Sequence, residues 1–216
     1  MVLYYFNISN LNIDEMKEYA SKECLEKLST LTDNKEKQIV LAKNLLLNYG
    51  FKQLGVLDPI VKLSSNGKPY LSNGKRVSFN LSYSNDMLVL LVSRLGVGVS
   101  IEYLDNDIDL EDFKDFFTTN ELEYIQSSDD SLKTFYKLWV LKKSYLKMID
   151  ESNQVKPTDF TIKINPENQI SVSHSKVFTE NIKFKLISIH DEYYLGTCSR
   201  LNVNEFIEIT SENIIN

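Results

Sequence analysis

The chain has 216 residues, of which 43% are hydrophobic and 25% are charged, a balance typical of a folded domain with its own core. Its formal net charge of −6 argues against a nucleic-acid scaffold, whose affinity would depend on a basic surface. The cysteines, Cys24 and Cys198, lie near opposite ends of the sequence, which argues against a disulfide framework and favours a cytoplasmic location.

The first fifty residues predict one strand and two helices. Residues 2–8 are apolar but lack a basic region and a small-residue cleavage site, so we interpret them as a strand and not as a signal peptide. Apolar residues recur at helical spacing over 14–31, which predicts a helix. A second helix is expected over 33–49, with Asp33 as its N-cap and Gly50 closing it. No apolar run approaches the roughly 20 residues of a membrane span.

The middle of the chain is rich in turns and strands. Turn clusters stand at residues 66–69 and 72–75. Three strands are expected in quick succession, at 77–81, 87–93 and 97–102.

After an acidic linker over 104–110, the chain alternates between helix and strand patterns again. Helices are predicted over 110–126 and 130–150. Further strands are predicted at 159–164, 169–173, 182–190, 192–199 and 206–209. This order predicts an α+β fold of two similar halves, 1–102 and 103–216, and leaves open that the last strand returns to the first half.

Five short motifs follow one another along the chain. They read GKP at 67–69, FNLSYS at 79–84, VGVSIE at 97–102, FFTTNE at 116–121 and WVLKKSYLK at 139–147. In their order and spacing they resemble the motifs of the 4′-phosphopantetheinyl transferases of the Sfp-like, surfactin-synthetase-activating type. The resemblance covers essentially the whole chain. It implies a pseudo-dimer of two α+β halves, each with antiparallel strands packed against helices, and a ligand cleft between them.

The resemblance also implies a reaction and its participants. Members of this family move the phosphopantetheine arm of coenzyme A onto a serine of an acyl or peptidyl carrier protein, and single-chain members usually act as monomers. Mg²⁺ bridges the diphosphate of coenzyme A. It is held by the two acids of a G-x-D-x-E motif and by the glutamate of a W-x-x-K-E motif, which is also often assigned as the base. Neither a nucleic acid nor a membrane is expected as a partner.

Several residues match the family motifs and are candidates for the site. The candidates for coenzyme A binding are Lys68, Pro69, Ser82, Tyr83 and Lys142. The candidates for catalysis are Glu102, Glu121, Lys143 and Lys147, and those for a metal are Glu102 and, as a weak ligand, Ser100.

Four of the matching positions depart from the family pattern. Ser100 stands in place of the first aspartate, and Lys143 in place of the glutamate of W-x-x-K-E. Tyr83 replaces a histidine that contacts the ribose phosphate, and Gln38 aligns with an arginine that meets the same phosphate. Because Mg²⁺ prefers anionic oxygen ligands, a change in protein charge from about −3 to about 0 disfavours it at this position.

The replacement of the metal and base positions leaves several hypotheses for the remaining groups. The ammonium of Lys143 could pair with Glu102, or it could neutralise the diphosphate in place of the metal. Glu121 is the remaining carboxylate that could serve as a base. Alternatively, Lys142, Lys143 and Lys147 form only the solvated face of an amphipathic helix.

Three functions are compatible with these residues. The first is a binding protein that kept the fold and the carrier-protein surface but lost transfer, which the joint changes at the metal and ribose-phosphate positions favour. The second is an active or slow transferase with an altered Mg²⁺ site. The third is different chemistry on a carrier-bound substrate that uses Lys143, for which no further residue argues.

Overall fold

The computed structural model describes residues 1–9, 11–64, 67–73, 77–149, 155–174 and 179–215. In chain order the strands are β1 (Val2–Asn7), β2 (Val61–Leu63), β3 (Pro69–Leu71), β4 (Ser78–Ser84), β5 (Met87–Ser93), β6 (Val97–Tyr103), β7 (Phe160–Ile164), β8 (Ile170–His174), β9 (Lys183–Ile189), β10 (Tyr193–Ser199) and β11 (Glu205–Glu208). The α-helices are α1 (Ile13–Met16), α2 (Lys22–Thr30), α3 (Asn34–Gln53), α4 (Thr119–Gln126), α5 (Ser131–Ile149) and α6 (Ser211–Ile215). Short 3₁₀ helices cover Lys17–Tyr19, Leu110–Phe116 and Pro157–Asp159.

The two larger sheets are built mainly from antiparallel neighbours. The first has the order β11-β1-β5-β4, in which β11 is parallel to β1 and the other pairs are antiparallel. The second has the order β6-β10-β9 and is antiparallel throughout. Two hairpins, β2-β3 and β7-β8, complete the described strands. The α+β class predicted from the sequence is confirmed, whereas the division into halves at residues 102 and 103 stays a prediction.

The central strand β5 is buried along its whole length because both of its faces are covered. Leu88 and Leu90 point into the core beneath α3, and Val89 and Leu91 point into a core shared with β6 and β10. Alternate residues of a strand face opposite sides. The continuous apolar run of β5 therefore serves two cores, one on each side of the first sheet.

Polar side chains of β4 join the two sheets. Asn80, Ser82 and Ser84 accept hydrogen bonds from the backbone amides of Val99, Ile101 and Tyr103, at 3.0, 3.2 and 2.9 Å. The FNLSYS motif thus satisfies the backbone of β6, because its alternate residues all point to the same side. This contact holds β4 beside β6 without a shared backbone ladder.

Helix α5 lies directly on the second sheet because two glycines leave room for it. A Cβ atom at Gly98 would overlap the backbone oxygen of Ser144, and one at Gly196 would lie 2.7 Å from the backbone oxygen of Val140. No side chain larger than hydrogen fits at either position. The close approach brings the second half of α5 over the end of β6.

Several predicted element boundaries are wrong, for identifiable reasons. The helix expected over 14–31 is interrupted at Ala20, whose backbone is extended, and Ser21 caps a new helix by accepting from the amide of Cys24. The helix expected over 110–126 is interrupted at Phe117, and Thr118 caps α4. Both breaks occur where a hydroxyl side chain satisfies helix amides.

The prediction that Gly50 ends its helix is wrong. Asp33 caps α3 by accepting from the amide of Glu36 at 2.8 Å, as expected, but the helix continues to Gln53. A Cβ at Gly50 would lie 2.6 Å from Leu90 Cδ2, so this glycine lets α3 pack closely on β5 and does not form a turn. Hairpin β2-β3 forms where only turn clusters were predicted.

Some predictions lie outside the described residues. They concern Asn66, Gly74 and Lys75 of the turn clusters and residue 150 at the predicted helix end. Within the described ranges, the helices are all too short or too polar to cross a bilayer.

Candidate functional site

Five of the predicted site residues meet where β4, β6 and α5 converge: Lys68, Ser82, Glu102, Lys143 and Lys147. The Lys147 ammonium donates to the carbonyl oxygen of Val99 at 2.8 Å and to Ser82 Oγ at 3.1 Å. Lys68 Nζ donates to the backbone oxygen of Lys147 at 2.8 Å, which ties the GKP turn to α5. We call this group of five residues the lysine site.

The exposed part of the lysine site is an ion pair between Lys143 and Glu102. Their side chains are 32% and 21% exposed, so solvent reaches both groups. The ammonium of Lys143 also lies 5.4 Å from the ring centre of Trp139. The hypothesis that Lys143 pairs with Glu102 is thereby confirmed.

The buried part of the lysine site is the ammonium of Lys147. Burial, with a smaller contribution from the neighbouring charge of Lys143, lowers the pKa of Lys147 to about 8, while Glu102 acts in the opposite direction. Lys143 and Lys147 are four positions apart, about one turn of α5, which puts both cations on the same face. The lysine site therefore concentrates positive charge.

Ser100 is completely buried on the side of β6 that faces α5. Its strand neighbours Gly98 and Glu102 meet the α5 backbone and Lys143, and alternate residues share a face. The Ser100 hydroxyl has no hydrogen-bond partner within the described part of the chain.

The residues at the metal position do not fit Mg²⁺. Ser100 offers one neutral, buried oxygen, Glu102 is already paired with an ammonium, and Lys143 cannot bind a metal while protonated. The described ranges likewise contain no cluster of three or more histidine, cysteine or acidic residues arranged for a metal ion.

Glu121 and Lys142 lie apart from the lysine site in a buried ion pair. Glu121 is 1% exposed and Lys142 is fully buried, and the ammonium lies 2.9 and 2.7 Å from the two carboxylate oxygens. The same carboxylate accepts from the amides of Thr118 and Ile162, both at 2.8 Å. Lys142 also donates to the carbonyl oxygen of Phe160 at 3.0 Å, and burial lowers its pKa while Glu121 opposes that shift.

This pair joins α4, α5 and β7, so its geometry supports a structural role. Such a role differs from the base and the coenzyme A contact that the resemblance implied for Glu121 and Lys142. Those two roles stay predictions.

Tyr83 and Pro69 are sequence neighbours of the lysine site, but Tyr83 faces the opposite side of β4 from Ser82. Tyr83 is partly buried, and the ammonium of Lys43 on α3 lies 5.8 Å from its ring centre. Burial lowers the pKa of Lys43, and the charge of Lys27 adds to that effect. Pro69 opens β3 and is partly buried.

Lys43 was not singled out from the sequence, although a signal was present. Lys35 and Lys43 are eight residues apart, close to two turns, so they share one face of α3. Lys35 forms an ion pair with Asp86, just beyond the end of β4. Gln38, which aligns with the family arginine, instead donates to the carbonyl oxygen of Leu11 at 3.0 Å.

Comparisons with known proteins agree with this arrangement of motifs. The family model described as the 4′-phosphopantetheinyl transferase superfamily matches residues 96–198. The 4′-phosphopantetheinyl transferase gsp of Aneurinibacillus migulanus is 25% identical over 175 residues, which cover 79% of this chain and 72% of that protein. A 4′-phosphopantetheinyl transferase of Bacillus subtilis is 24% identical over 196 residues, which cover 86% of this chain and 84% of that protein.

A solved structure of a holo-(acyl-carrier-protein) synthase from Bacillus anthracis, in complex with CoA (3′,5′-ADP), is also similar. It has 14% identity and a TM-score of 0.41, and the match covers 48% of this chain and 93% of that one.

The comparisons confirm the resemblance to the 4′-phosphopantetheinyl transferase superfamily that the motifs indicate. The chain is also similar to the 4′-phosphopantetheinyl transferase Sfp of Bacillus subtilis, with 25% identity over 139 residues, which cover 62% of this chain and 59% of that protein.

Proposed function

We propose that this chain is a 4′-phosphopantetheinyl transferase homologue that recognises carrier proteins of a fatty acid, polyketide or nonribosomal peptide pathway and has lost the transfer reaction. The observation that carries the proposal is the ion pair between Lys143 and Glu102. It replaces two metal-binding carboxylates of the family pattern by one carboxylate and a cation. Coenzyme A or a related small molecule is the proposed ligand of the cleft, and a cytoplasmic monomer is the proposed form.

The loss of transfer follows from what the reaction requires. A base must accept the proton of the carrier serine, and the charge on the diphosphate must be stabilised as the bond to phosphorus breaks. Glu102 is engaged by Lys143, and Glu121 is buried and accepts from Lys142 and two backbone amides. None of the predicted catalytic carboxylates is therefore available to the serine in this conformation.

An active or slow transferase is the alternative, and the basic groups favour it. Lys68 and Lys147 are held at the junction of the sheets, and Ser82 lies between β4 and β6. Preorganised cations stabilise negative charge that develops on phosphate oxygens. If this alternative is right, an apo carrier protein should gain the phosphopantetheine arm from coenzyme A at an altered Mg²⁺ site, and Glu102→Ala should abolish that gain.

Intact-mass spectrometry of an apo carrier protein, incubated with coenzyme A, Mg²⁺ and this chain, tests the proposal. We expect no mass gain from this chain, whereas an established transferase loads the same carrier under the same conditions. A double variant, Lys143→Glu with Ser100→Asp, should produce a gain if these replacements are what abolished transfer. Efficient loading by the unmodified chain would refute the proposal and establish the alternative.

Carrier recognition is tested separately by titrating labelled apo carrier protein with this chain and following fluorescence anisotropy. We expect saturable binding without coenzyme A. Absence of binding to acyl and peptidyl carriers alike would overturn the recognition part of the proposal.

A further inference from the structure

The lysine site carries an excess of positive charge at the position where the family resemblance implies a divalent cation. Two ammonium groups, those of Lys143 and Lys147, interact with one carboxylate, that of Glu102, and a third, that of Lys68, donates to the backbone oxygen of Lys147. A dication is repelled by such a group, whereas an anion is attracted to it. The site therefore favours a ligand charge opposite to that of a metal ion.

The ammonium groups of Lys143 and Lys147 differ in how many of their hydrogen-bond donors are already used within the protein. Lys147 already has three acceptors, Val99 O, Ser82 Oγ and Leu81 O, at 2.8, 3.1 and 3.5 Å, which match the three donors of an ammonium group. Lys143 has a single acceptor within the described ranges, Glu102, and about a third of its side chain is exposed. Lys143 is therefore the cation that an incoming ligand reaches.

Glu102 fixes the position of Lys143 without taking up all of its donors. An ammonium group that donates one hydrogen bond to a carboxylate keeps two N–H groups for other acceptors. Phosphate oxygens are strong acceptors, and lysine binds them as a compact point charge. A phosphate group at this position would share the ammonium with Glu102.

We propose that the lysine site binds a diphosphate-bearing ligand, coenzyme A under the proposed function, with the Lys143 ammonium in place of a divalent cation, so that binding requires no Mg²⁺. This inference rests on the proposed function for the identity of the ligand. It goes further by assigning opposite effects to the two members of the ion pair. Lys143 attracts the ligand, and Glu102 competes with it.

Isothermal titration with coenzyme A, once with Mg²⁺ and once with EDTA, tests the inference on the intact chain. We expect the two dissociation constants to agree within about threefold, because no bridging metal is part of the complex. Lys143→Gln should weaken binding about tenfold in both buffers, as expected when one charge-assisted hydrogen bond is lost. Inorganic pyrophosphate should compete with coenzyme A for the unmodified chain.

The effect of Glu102→Gln separates the inference from a conventional metal site. If Glu102 competes with the ligand, its neutralisation should tighten coenzyme A binding by about threefold or more. If Glu102 holds a metal, the same change should weaken binding and remove any benefit of Mg²⁺. The double variant Lys143→Glu with Ser100→Asp should make binding dependent on Mg²⁺.

Lys133→Gln is the matched control, because Lys133 lies on the same helix but pairs with Asp130 at 3.3 Å, near the opposite end of α5. The affinity of Lys133→Gln for coenzyme A should equal that of the unmodified chain. Thermal melting of every variant verifies that the variant is folded.

Four results would each overturn the inference. The first two are an absolute requirement for Mg²⁺ and an unchanged affinity in Lys143→Gln. The others are no competition by pyrophosphate and no binding of coenzyme A in either buffer. None of these results touches carrier recognition, which is measured without coenzyme A. Conversely, carrier binding could fail while coenzyme A still binds in EDTA. The failure of the inference and that of the proposed function can thus be told apart.

Discussion

The buried pair of Glu121 and Lys142 offers a sharp test of the roles given to these residues. In Glu121→Gln the carboxamide would keep the shape of the side chain, but the fully buried ammonium would lose its counter-charge. Removing one partner of a buried ion pair typically costs about 3–5 kcal/mol, because the remaining charge stays buried without compensation. The amides of Thr118 and Ile162 would also exchange a charged acceptor for a neutral one.

The expected loss can be measured by thermal and urea unfolding. For a chain of this size, each kcal/mol shifts the melting temperature by about 2–4 °C, so Glu121→Gln should melt roughly 6–20 °C lower. Glu111→Gln is the matched control, since Glu111 is 74% exposed and lies 3.8 Å from Lys114. That control should change the stability by less than about 1 kcal/mol.

A double variant sharpens the interpretation. Glu121→Met with Lys142→Met removes both charges and should recover part of the loss, because no unpaired ammonium remains. If Glu121→Gln melted within about 2 °C of the unmodified chain, a structural role for the pair would be refuted. Glu121 would then again be a candidate for the base in an active enzyme.

Three further predictions concern the packing of α5, the pKa of a buried lysine and the neighbourhood of Tyr83. Gly98→Ala should destabilise the fold by about 3 kcal/mol in urea unfolding, since its new methyl group would overlap the backbone oxygen of Ser144. The pKa of Lys147 is lowered to about 8 in the folded chain. Between about pH 8 and pH 10.5 the unfolded chain therefore binds more protons than the folded one, and the folded chain gains stability as the pH rises. The stability of the unmodified chain relative to Lys147→Met should increase over the same range. Lys43 lies beside Tyr83, where the resemblance implies the ribose phosphate of coenzyme A. Lys43→Gln should therefore reduce the preference for coenzyme A over dephospho-coenzyme A by about tenfold, as measured by competition titrations.

Each of these predictions has its own control or contrary result. Gly96→Ala should be tolerated, because the nearest atom to its Cβ, Met148 O, lies 3.8 Å away, and equal costs at Gly96 and Gly98 would contradict the packing argument. A stability difference for Lys147→Met that stays flat between pH 8 and 10.5 would mean that its pKa is ordinary. Equal losses of affinity for both ligands in Lys43→Gln would separate Lys43 from the ribose phosphate.

Much of the architecture was readable from local patterns in the sequence. The continuous apolar run of β5, the N-cap at Asp33 and the order of the five motifs depend only on neighbouring residues or on short spacings. Such features predict element type well, because burial and capping act over one or two turns. The prediction of an α+β fold followed from them.

The failures of local reasoning were also physical. Gly50 has the residue type of a helix end, but it lies inside α3 and packs closely against Leu90, forty positions away on β5. The break at Ala20 depended on Ser21 competing for helix amides, which the apolar periodicity did not reveal. In both cases a contact outside the periodic pattern decided the outcome.

The sequence by itself determined which residue types stand at the site: Ser100 and Lys143 where the family has acids, and Glu102 retained. Only the tertiary structure decided how these groups are used, because the partners lie far apart along the chain and electrostatic pairing depends on distance in space. Glu102 and Lys143 are 41 positions apart in the sequence, and Glu121 and Lys142 are 21 positions apart, yet each of these pairs forms an ion pair. The close contact of α5 with the glycines of the second sheet produces the first pair, and burial between α4, α5 and β7 enforces the second.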